Sequence, residues 1–262
     1  MKIATWNVNS IVARLPSVLR WLDEAKPDVL CMQEIKCVED KFPAMAFEEL
    51  GYKTAAFGQP SYNGVAFASR FDIQNVKRGF TGAEPGDHSR LIAAEIEGIN
   101  IVNVYIPNGS EVGSDKYIFK LNWMNRLRLF FKERYSQTDP VLVCGDFNVA
   151  PEDRDVHDPA KWMGNVLVSP RERASLEQIR AWGFIDAFRL FTESSGAFSW
   201  WDYRQGAFQK NDGLRIDHIW VTKTVAERCQ SSWIDKEPRS WDRPSDHTPV
   251  VVEIAAEGKN EE

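Results

Sequence analysis

Val29-Leu30-Cys31-Met32-Gln33-Glu34 is a short apolar run that begins after a Pro27-Asp28 break and stops on two polar residues. It shows no alternation of apolar and polar positions. A continuous apolar run bounded by turn signals reads as a buried strand. Residues 140–144 repeat the pattern and end in Gly145-Asp146-Phe147-Asn148, and residues 2–8 open the chain with a third strand, ending in Asn7-Val8-Asn9-Ser10. Between the first two strands in chain order, Leu15, Val18, Leu19 and Leu22 recur at helical spacing. Residues 116–135 form the longest expected helix, with Leu121, Met124, Leu127 and Phe131 along one face. Further helices are expected over 42–50, closed by Gly51, over 171–182 and near Ala187. Further strands are expected over 53–57, 64–69, 73–78, 91–96, 99–105, 214–222, 229–234 and 249–254, with 198–203 aromatic and extended. Residues 151–170, rich in Asp and Pro, read as a surface loop. The pattern describes one α/β domain over residues 1–254 and a charged, disordered tail over 255–262. Loosely similar strand–helix order in the two halves suggests two packed sheets.

The chain has 262 residues, 43% hydrophobic and 27% charged, which supports a large core and excludes disorder throughout. No apolar run reaches the roughly 18–20 residues a membrane span needs. The start, Met1-Lys2-Ile3-Ala4, lacks the apolar stretch and cleavage site of a signal peptide. Cys31, Cys37, Cys144 and Cys229 form no C-x-x-C pair, so reduced structural thiols in a cytoplasmic protein are expected, not a disulfide framework or a zinc site. The net charge of −6 argues against a coat of basic residues and leaves nucleic-acid binding open. Ten Trp exceed ordinary use; many must lie in the core, but aromatics beside polar residues also form walls for bases or sugars.

Four strands run into polar groups: Asn7 and Asn9; Gln33 and Glu34; Asp146 and Asn148; and Asp217, after Leu214-Arg215-Ile216. A fifth group, Ser245-Asp246-His247, precedes the last strand instead. Strand ends at one edge of a sheet can converge, and α/β proteins place their sites there. Carboxylates hold Mg²⁺, which prefers oxygen ligands and keeps some waters. Asn amides can orient a water, and a His paired with an Asp can hold a phosphate oxygen through a fixed ring N–H. Taken singly, Glu34 reads as a turn or cap residue, Asp146-Phe147-Asn148 as an Asx turn, and His247 as a surface histidine. Asp217 is harder to dismiss, because an unpaired carboxylate in a strand-like run is costly. The joint pattern points to phosphate chemistry.

Six segments carry a resemblance: Trp6-Asn7-Val8-Asn9, Leu30-Cys31-Met32-Gln33-Glu34, Tyr105-Ile106-Pro107-Asn108-Gly109, Gly145-Asp146-Phe147-Asn148, Gly213-Leu214-Arg215-Ile216-Asp217 and Ser245-Asp246-His247. In this order they resemble the exonuclease III / apurinic-apyrimidinic endonuclease family of the endonuclease/exonuclease/phosphatase superfamily, over about residues 1–254. Phe198-Ser199-Trp200-Trp201-Asp202-Tyr203-Arg204 narrows the resemblance to the DNA-repair branch, and to its bacterial members. The resemblance implies a four-layered α/β sandwich of the DNase I-like kind, two packed mixed β-sheets flanked by helices. It implies a Mg²⁺-dependent phosphodiesterase, with Mn²⁺ as a substitute ion. Its substrate would be double-stranded DNA carrying abasic sites or blocked 3′ ends, and the enzyme would act as a monomer without a membrane.

Carried over residue by residue, the resemblance makes Glu34 the main metal ligand, with Asp246 and Asn7 in or beside the shell. Asp146 orients or activates the attacking water, and Asn148 fixes its position. Tyr105 donates to a phosphate oxygen, as does His247, held by Asp217. Trp200, Leu214 and Ile216 line a small apolar pocket for an extrahelical sugar. Arg204 intrudes on the duplex, and Asn108 contacts a phosphate or water. Some relatives carry Asp at Asn9; Asn keeps an oxygen donor at the substrate side but removes a charge, which weakens the case for a second metal. Arg90, Arg78, Lys116, Lys120, Lys210 and Arg215 are candidates for backbone phosphates, whereas Lys132 and Arg134 read as solvated surface charge. Two other readings compete: a head-group phosphoesterase of the same superfamily, which the aromatic segment disfavours, and a non-catalytic damage binder, which the retained Glu34, Asp146 and His247 disfavour.

Overall fold

The computed structural model describes residues 1–82 and 87–256. Its strands are β1 (Lys2–Asn7), β2 (Val29–Gln33), β3 (Lys53–Phe57), β4 (Val65–Ser69), β5 (Gln74–Arg78), β6 (Leu91–Ile96), β7 (Ile99–Tyr105), β8 (Val141–Asp146), β9 (Ile185–Asp186), β10 (Trp200–Trp201), β11 (Gly213–Leu214), β12 (Asp217–Val221), β13 (Cys229–Ile234) and β14 (Val250–Ile254). One six-stranded sheet runs β13-β14-β1-β2-β4-β3, a second runs β5-β6-β7-β8-β12-β9, and β10-β11 form a ribbon.

The continuous apolar strands explain the layering. In β2, Val29 and Cys31 face the second sheet and meet Ile92, Ile101, Leu142, Cys144 and Ile219. Leu30 and Met32 point the other way, into a cluster with Val18, Trp21 and Leu22 of the helix Ile11–Ala25. In β8, Leu142 and Cys144 face inward. Val141 and Val143 pack on the outer side with Met124, Leu127 and Phe131 of the helix Asp115–Arg134, and with Leu176 and Ile179 of the helix Pro170–Arg180. Both faces of both sheets are therefore covered, giving the helix–sheet–sheet–helix sandwich that the family resemblance implies.

Strand direction places the polar groups. β1 and β2 run parallel, as do β7 and β8. Beside them β14 and β12 run antiparallel, with Asp217 opposite Asp146. The carboxyl ends of β1, β2, β7 and β8 and the amino ends of β12 and β14 thus lie along one edge. Asp217 opens a strand and does not end one; the expected strand over 214–222 is two pieces. Gly213–Leu214 pairs with the Trp200–Trp201 ribbon, and Asp217–Val221 joins the second sheet. The chain changes partners at Arg215, whose N–H donates to the Asp155 carbonyl and whose guanidinium pairs with Asp155 at 2.6 Å and Asp186 at 2.8 Å. Residues 151–170 are correspondingly more than a surface loop, since Asp155 is fully buried. The helix expected over 42–50 shrinks to Ala44–Glu48, starting after Pro43. The tail beyond residue 256 lies outside the described residues. The four cysteines are free thiols.

His218, fully buried on β12, makes stability depend on pH. Its Nε2 lies 3.0 Å from the Val149 carbonyl and its Nδ1 lies 3.1 Å from Arg215 Nη1. Since guanidinium only donates, Nδ1 accepts and Nε2 carries the proton. Burial, then the Arg215 charge, push the imidazole down to about 4. The unfolded chain binds the proton first, so this contribution is complete above the unfolded histidine value of about 6.5 and is lost as pH falls toward 4. Between pH 6 and 4.5, wild type should lose up to about 1.4 kcal/mol per pH unit more than His218→Gln. Urea unfolding at several pH values checks this; parallel pH curves for the two proteins would remove the assignment.

Candidate active site

The polar groups meet where the two sheets adjoin. Asn7, at the end of β1, is fully buried. Its Nδ2 donates to Glu34 Oε1 and to Asp146 Oδ2, each at 2.9 Å, and lies 3.4 Å from His247 Nε2. Its Oδ1 accepts the Asn9 N–H at 3.0 Å. Two carboxylates need donors, so the amide nitrogen faces them and the oxygen faces away. Asn7, expected in or beside the metal shell, thus stands between the two sheets, where its amide bridges Glu34 to Asp146.

Asp217 and His247 form the second crossing. His247 Nδ1 lies 2.9 Å from Asp217 Oδ2, and Ser199 Oγ donates to that same oxygen at 2.6 Å. The Ser199 hydroxyl in turn accepts the N–H groups of Ile216 and Asp217, at 3.1 and 3.0 Å. Nδ1 therefore carries a proton, and Nε2 faces Asp146 Oδ2 at 3.7 Å. Burial alone would lower the imidazole, but the Asp217 and Asp146 carboxylates outweigh it and hold His247 well above the ordinary histidine range. Burial raises the Asp146 carboxyl; His247 and Asn7 oppose this, whereas Asp217 and Glu34 add to it, and the net shift is strongly upward. A cationic imidazole thus stands beside a carboxyl able to exchange a proton near neutrality.

Asn148 sits in the left-handed region, φ 50°, two residues after the end of the strand core. Its N–H donates to Asp146 Oδ1 at 2.9 Å, and its amide donates to the Ile106 carbonyl at 2.9 Å and Asp146 Oδ2 at 3.2 Å. Asn108 Nδ2 donates to Asn148 Oδ1 at 3.2 Å. Gly145 lets β8 approach β7 closely: a Cβ there would fall 1.9 Å from the Val104 carbonyl oxygen. Tyr105, at the end of β7, is pushed well up by burial and then by Glu34 and Asp146, so its phenol keeps a proton to donate. Arg90 lies over the Tyr105 ring at 4.5 Å and donates to the Tyr105 carbonyl at 3.2 Å.

Glu34, also left-handed at φ 51°, holds Lys36 Nζ 2.9 Å from its Oε2. The same ammonium donates to Asn9 Oδ1 at 2.6 Å. Asn9 Nδ2 donates to Asp246 Oδ1 at 2.9 Å, and the Trp200 indole N–H to Asp246 Oδ2 at 3.0 Å. Glu34 and Asp246 offer the hard oxygen donors a divalent cation takes, and the ammonium on Glu34 shows that a positive charge is accepted there. A second acidic group, Asp146, Asp217 and His247, has ligand atoms within 4.8 Å of one another. Two of its members are already engaged with each other.

The expected pocket differs from its description in the sequence. Trp200 is half-buried, 6.5 Å from Trp162 in an edge contact. Leu214 and Ile216, at 0% and 1% exposure, join Val156, Leu167 and Val168 in a closed cluster beneath it. They supply packing under Trp200 and no accessible wall. A cavity of about 410 Å³ opens instead beside Trp162 and Trp200, with Lys161, Arg204 and Gln205 at its rim. Arg204 is exposed and chelates Asp202 at 2.9 and 2.7 Å. Among the expected phosphate contacts, Lys116 and Lys210 are exposed, and Arg78 donates to the Ala56 carbonyl. Lys120 and Arg215 are buried in ion pairs and cannot reach a duplex. Ser199, Lys36 and Tyr203 were not singled out by the sequence pattern. Tyr203 accepts from Asn9 at 3.2 Å and donates to the Pro244 carbonyl at 2.9 Å. Ser199 stands inside the aromatic segment and Lys36 two residues after Glu34, but neither types nor spacings mark them.

Residues 4–247 match the endonuclease/exonuclease/phosphatase family. The chain is 32% identical to exodeoxyribonuclease III of Haemophilus influenzae, over 97% of this chain and 100% of that one. It superposes on a variant of the 3′ phosphatase NExo from Neisseria, bound to a product DNA hairpin, with TM-score 0.94, 38% identity and coverage of 97% and 99% of the two chains. An AP endonuclease from Archaeoglobus fulgidus gives TM-score 0.93 and 41% identity, over 97% and 99%. The chain belongs to the endonuclease/exonuclease/phosphatase family, in its exonuclease III / apurinic-apyrimidinic endonuclease branch. Within that class it is a nuclease of the exonuclease III type, a phosphodiester hydrolase of DNA repair.

Ser199→Ala would strip the donor from Asp217 and the acceptor from two buried N–H groups. Unfolding free energy should fall by about 1–3 kcal/mol, read by chemical denaturation; an unchanged midpoint would show that Ser199 does not hold this carboxylate.

Proposed function

We propose that the protein is a Mg²⁺-dependent monomeric enzyme that cuts duplex DNA on the 5′ side of abasic sites. In the same reading it removes blocking groups from 3′ ends and degrades duplex DNA from the 3′ end, leaving 3′-hydroxyls, with Mn²⁺ as a substitute ion. One observation carries this reading: the Asn7 amide joins Glu34 to Asp146 by hydrogen bonds, and the Asp217-held His247 ring faces the same Asp146 carboxylate, Nε2 lying 3.7 Å from Oδ2. No helix among the described residues is long and apolar enough to cross a membrane, and a cytoplasmic location accords with the free thiols.

Glu34 and Asp246 would hold the ion, which supplies charge stabilisation on the phosphate. Asp146 accepts the proton of the attacking water, with Asn148 fixing the carboxylate through its N–H and amide. His247 presents its Nε2 proton to a non-bridging phosphate oxygen while Asp217 holds Nδ1. Tyr105 donates to the same phosphate. Attack breaks the bond from phosphorus to the upstream 3′ oxygen, so the water oxygen stays on the 5′-phosphate and the 3′ oxygen leaves as a hydroxyl. Tyr105 and protonated Asp146 are the groups with a proton to give it. Trp200 and Arg204 border the cavity beside the site and would meet the nucleotide next to the cut, with Lys116 and Lys210 available to the backbone.

A 5′-labelled duplex with one internal abasic analogue tests this. With Mg²⁺ a single product ending in a 3′-hydroxyl is expected, abolished by EDTA. Asp146→Asn should lower kcat by about 10²–10⁴-fold, and Glu34→Gln should raise the Mg²⁺ concentration giving half-maximal activity. A ladder from the 3′ end without internal incision would restrict the activity to exonuclease and 3′-end processing. No cleavage of any DNA by folded, metal-supplied protein would overturn the reading.

A further inference from the structure

Lys120 faces the core from the helix Asp115–Arg134, with a side chain that is 0% exposed. Three acceptors surround its Nζ: Glu172 Oε1 at 2.5 Å, the Asn148 carbonyl at 2.6 Å and the Asn108 carbonyl at 3.0 Å. An ammonium has three protons, so donors and acceptors match in number. Glu172 is equally buried and is filled from its other side: Oε1 accepts the Leu167 N–H at 3.0 Å, and Oε2 accepts the Ser169 N–H at 3.1 Å and Ser169 Oγ at 2.5 Å. The ion pair therefore joins the long helix, the turn after β7, the turn after β8 and the start of the helix Pro170–Arg180.

Two of the three acceptors are backbone of residues that stand in the site. Asn148 is left-handed, a conformation Asn takes more readily than most residues. Its N–H is held by Asp146 and its carbonyl by Lys120, so both ends of the residue are clamped. The Asn108 turn closes onto the lysine stem: a Cβ on Gly109, φ +94°, would lie 3.1 Å from Lys120 Cδ.

We infer that Lys120 is a positioning residue for phosphodiester hydrolysis: its buried ammonium fixes the Asn148 and Asn108 carbonyls and, through the Asn148 amide, sets the Asp146 carboxylate. The lysine touches neither DNA nor metal, and its effect passes entirely through the two asparagine turns. The inference rests on the function proposed above for its kinetic consequence, and on geometry alone for its structural one.

Lys120→Met alone leaves Glu172 charged and unpaired, so it should be strongly destabilised. The double variant Lys120→Met/Glu172→Gln removes that charge and should recover most of the unfolding midpoint. If the lysine positions the turns, the double variant still loses kcat by about 10- to 100-fold, in line with a displacement near 1 Å, whereas KM for the duplex changes less than about threefold. A double variant with wild-type kcat would reduce the pair to a structural element and overturn the inference. The Asn148 side-chain amide, assigned in ¹⁵N spectra by its loss in Asn148→Asp, supplies a readout independent of activity. It should be dispersed and exchange-protected in wild type, and collapse toward free-amide shifts in the double variant. An unmoved amide overturns the inference even if no DNA is cleaved, and an inactive wild type with a moving amide would fault the proposed function alone.

Discussion

The contact between the Asp217 carboxylate and the His247 ring is the interaction on which the rest of the site depends. Asp217 opens a strand of one sheet and His247 leads into a strand of the other, so the pair pins the two sheets at one edge. A carboxylate with no exposure is tolerable only when it is neutralised and fully hydrogen-bonded. Ser199 and His247 meet that requirement, and in doing so they hold the Trp200–Trp201 ribbon against the same edge: Trp200 bridges to His247, and the Trp201 N–H reaches the Asp246 carbonyl. Asn7 and Asp146 make a second tie of the same kind. Deeper between the sheets, Gln33 donates to Asn103 at 2.7 Å, and Asn103 donates back to the Met32 carbonyl at 3.0 Å. The apolar interface is non-directional and would allow the sheets to shift; these polar crossings set one alignment.

The groups that fix the alignment are also the groups suited to chemistry, and the shared burden explains their electrostatics. Burial raises the carboxyl of Asp146, and the Asp217 and Asp146 carboxylates raise the imidazole of His247 against its burial, leaving a proton-accepting group beside a proton-donating one. The backbone at the site is correspondingly unusual. Asn9, Glu34 and Asn148 all adopt left-handed conformations at the exits of β1, β2 and β8. Each turn brings its side chain back over the strand edge, and each is held by hydrogen bonds from a neighbouring turn, as Ser10 N–H to the Glu34 carbonyl illustrates.

Positive charge is distributed with the same economy. Arg215, Arg189 and Lys120 have the composition of DNA-contacting residues but are buried against Asp155, Asp186 and Glu172, where they stabilise the chain changing sheets and the turns around Asn148. The cations that remain at the surface near Trp200, including Arg204 and Lys161, border the cavity.

Much of this was legible in the sequence. Continuous apolar runs such as Val29–Met32 and residues 140–144 marked buried strands, and helical spacing at Leu15–Leu22 and over 116–135 marked helices, so one α/β domain was legible from pattern, while the four-layered sandwich came from the family resemblance. The polar residues closing those runs marked the edge of the site, because a strand buried on both sides has nowhere else to put them. Strand direction was not legible, since a pattern of period two reads the same both ways; Asp217 therefore stood among strand ends until antiparallel pairing with β8 made it a strand start. Nor does residue type reveal a partner brought from far along the chain. Ser199 beneath Asp217, Lys36 on Glu34 and Lys120 against Glu172, 52 residues apart, acquire their roles from hydrogen bonds whose geometry exists only after the sheets pack. Local sequence determined which segments form strands and helices and which polar groups interrupt them; packing decided which charges face solvent and which face each other, because burial is a property of the assembled layers and not of any segment.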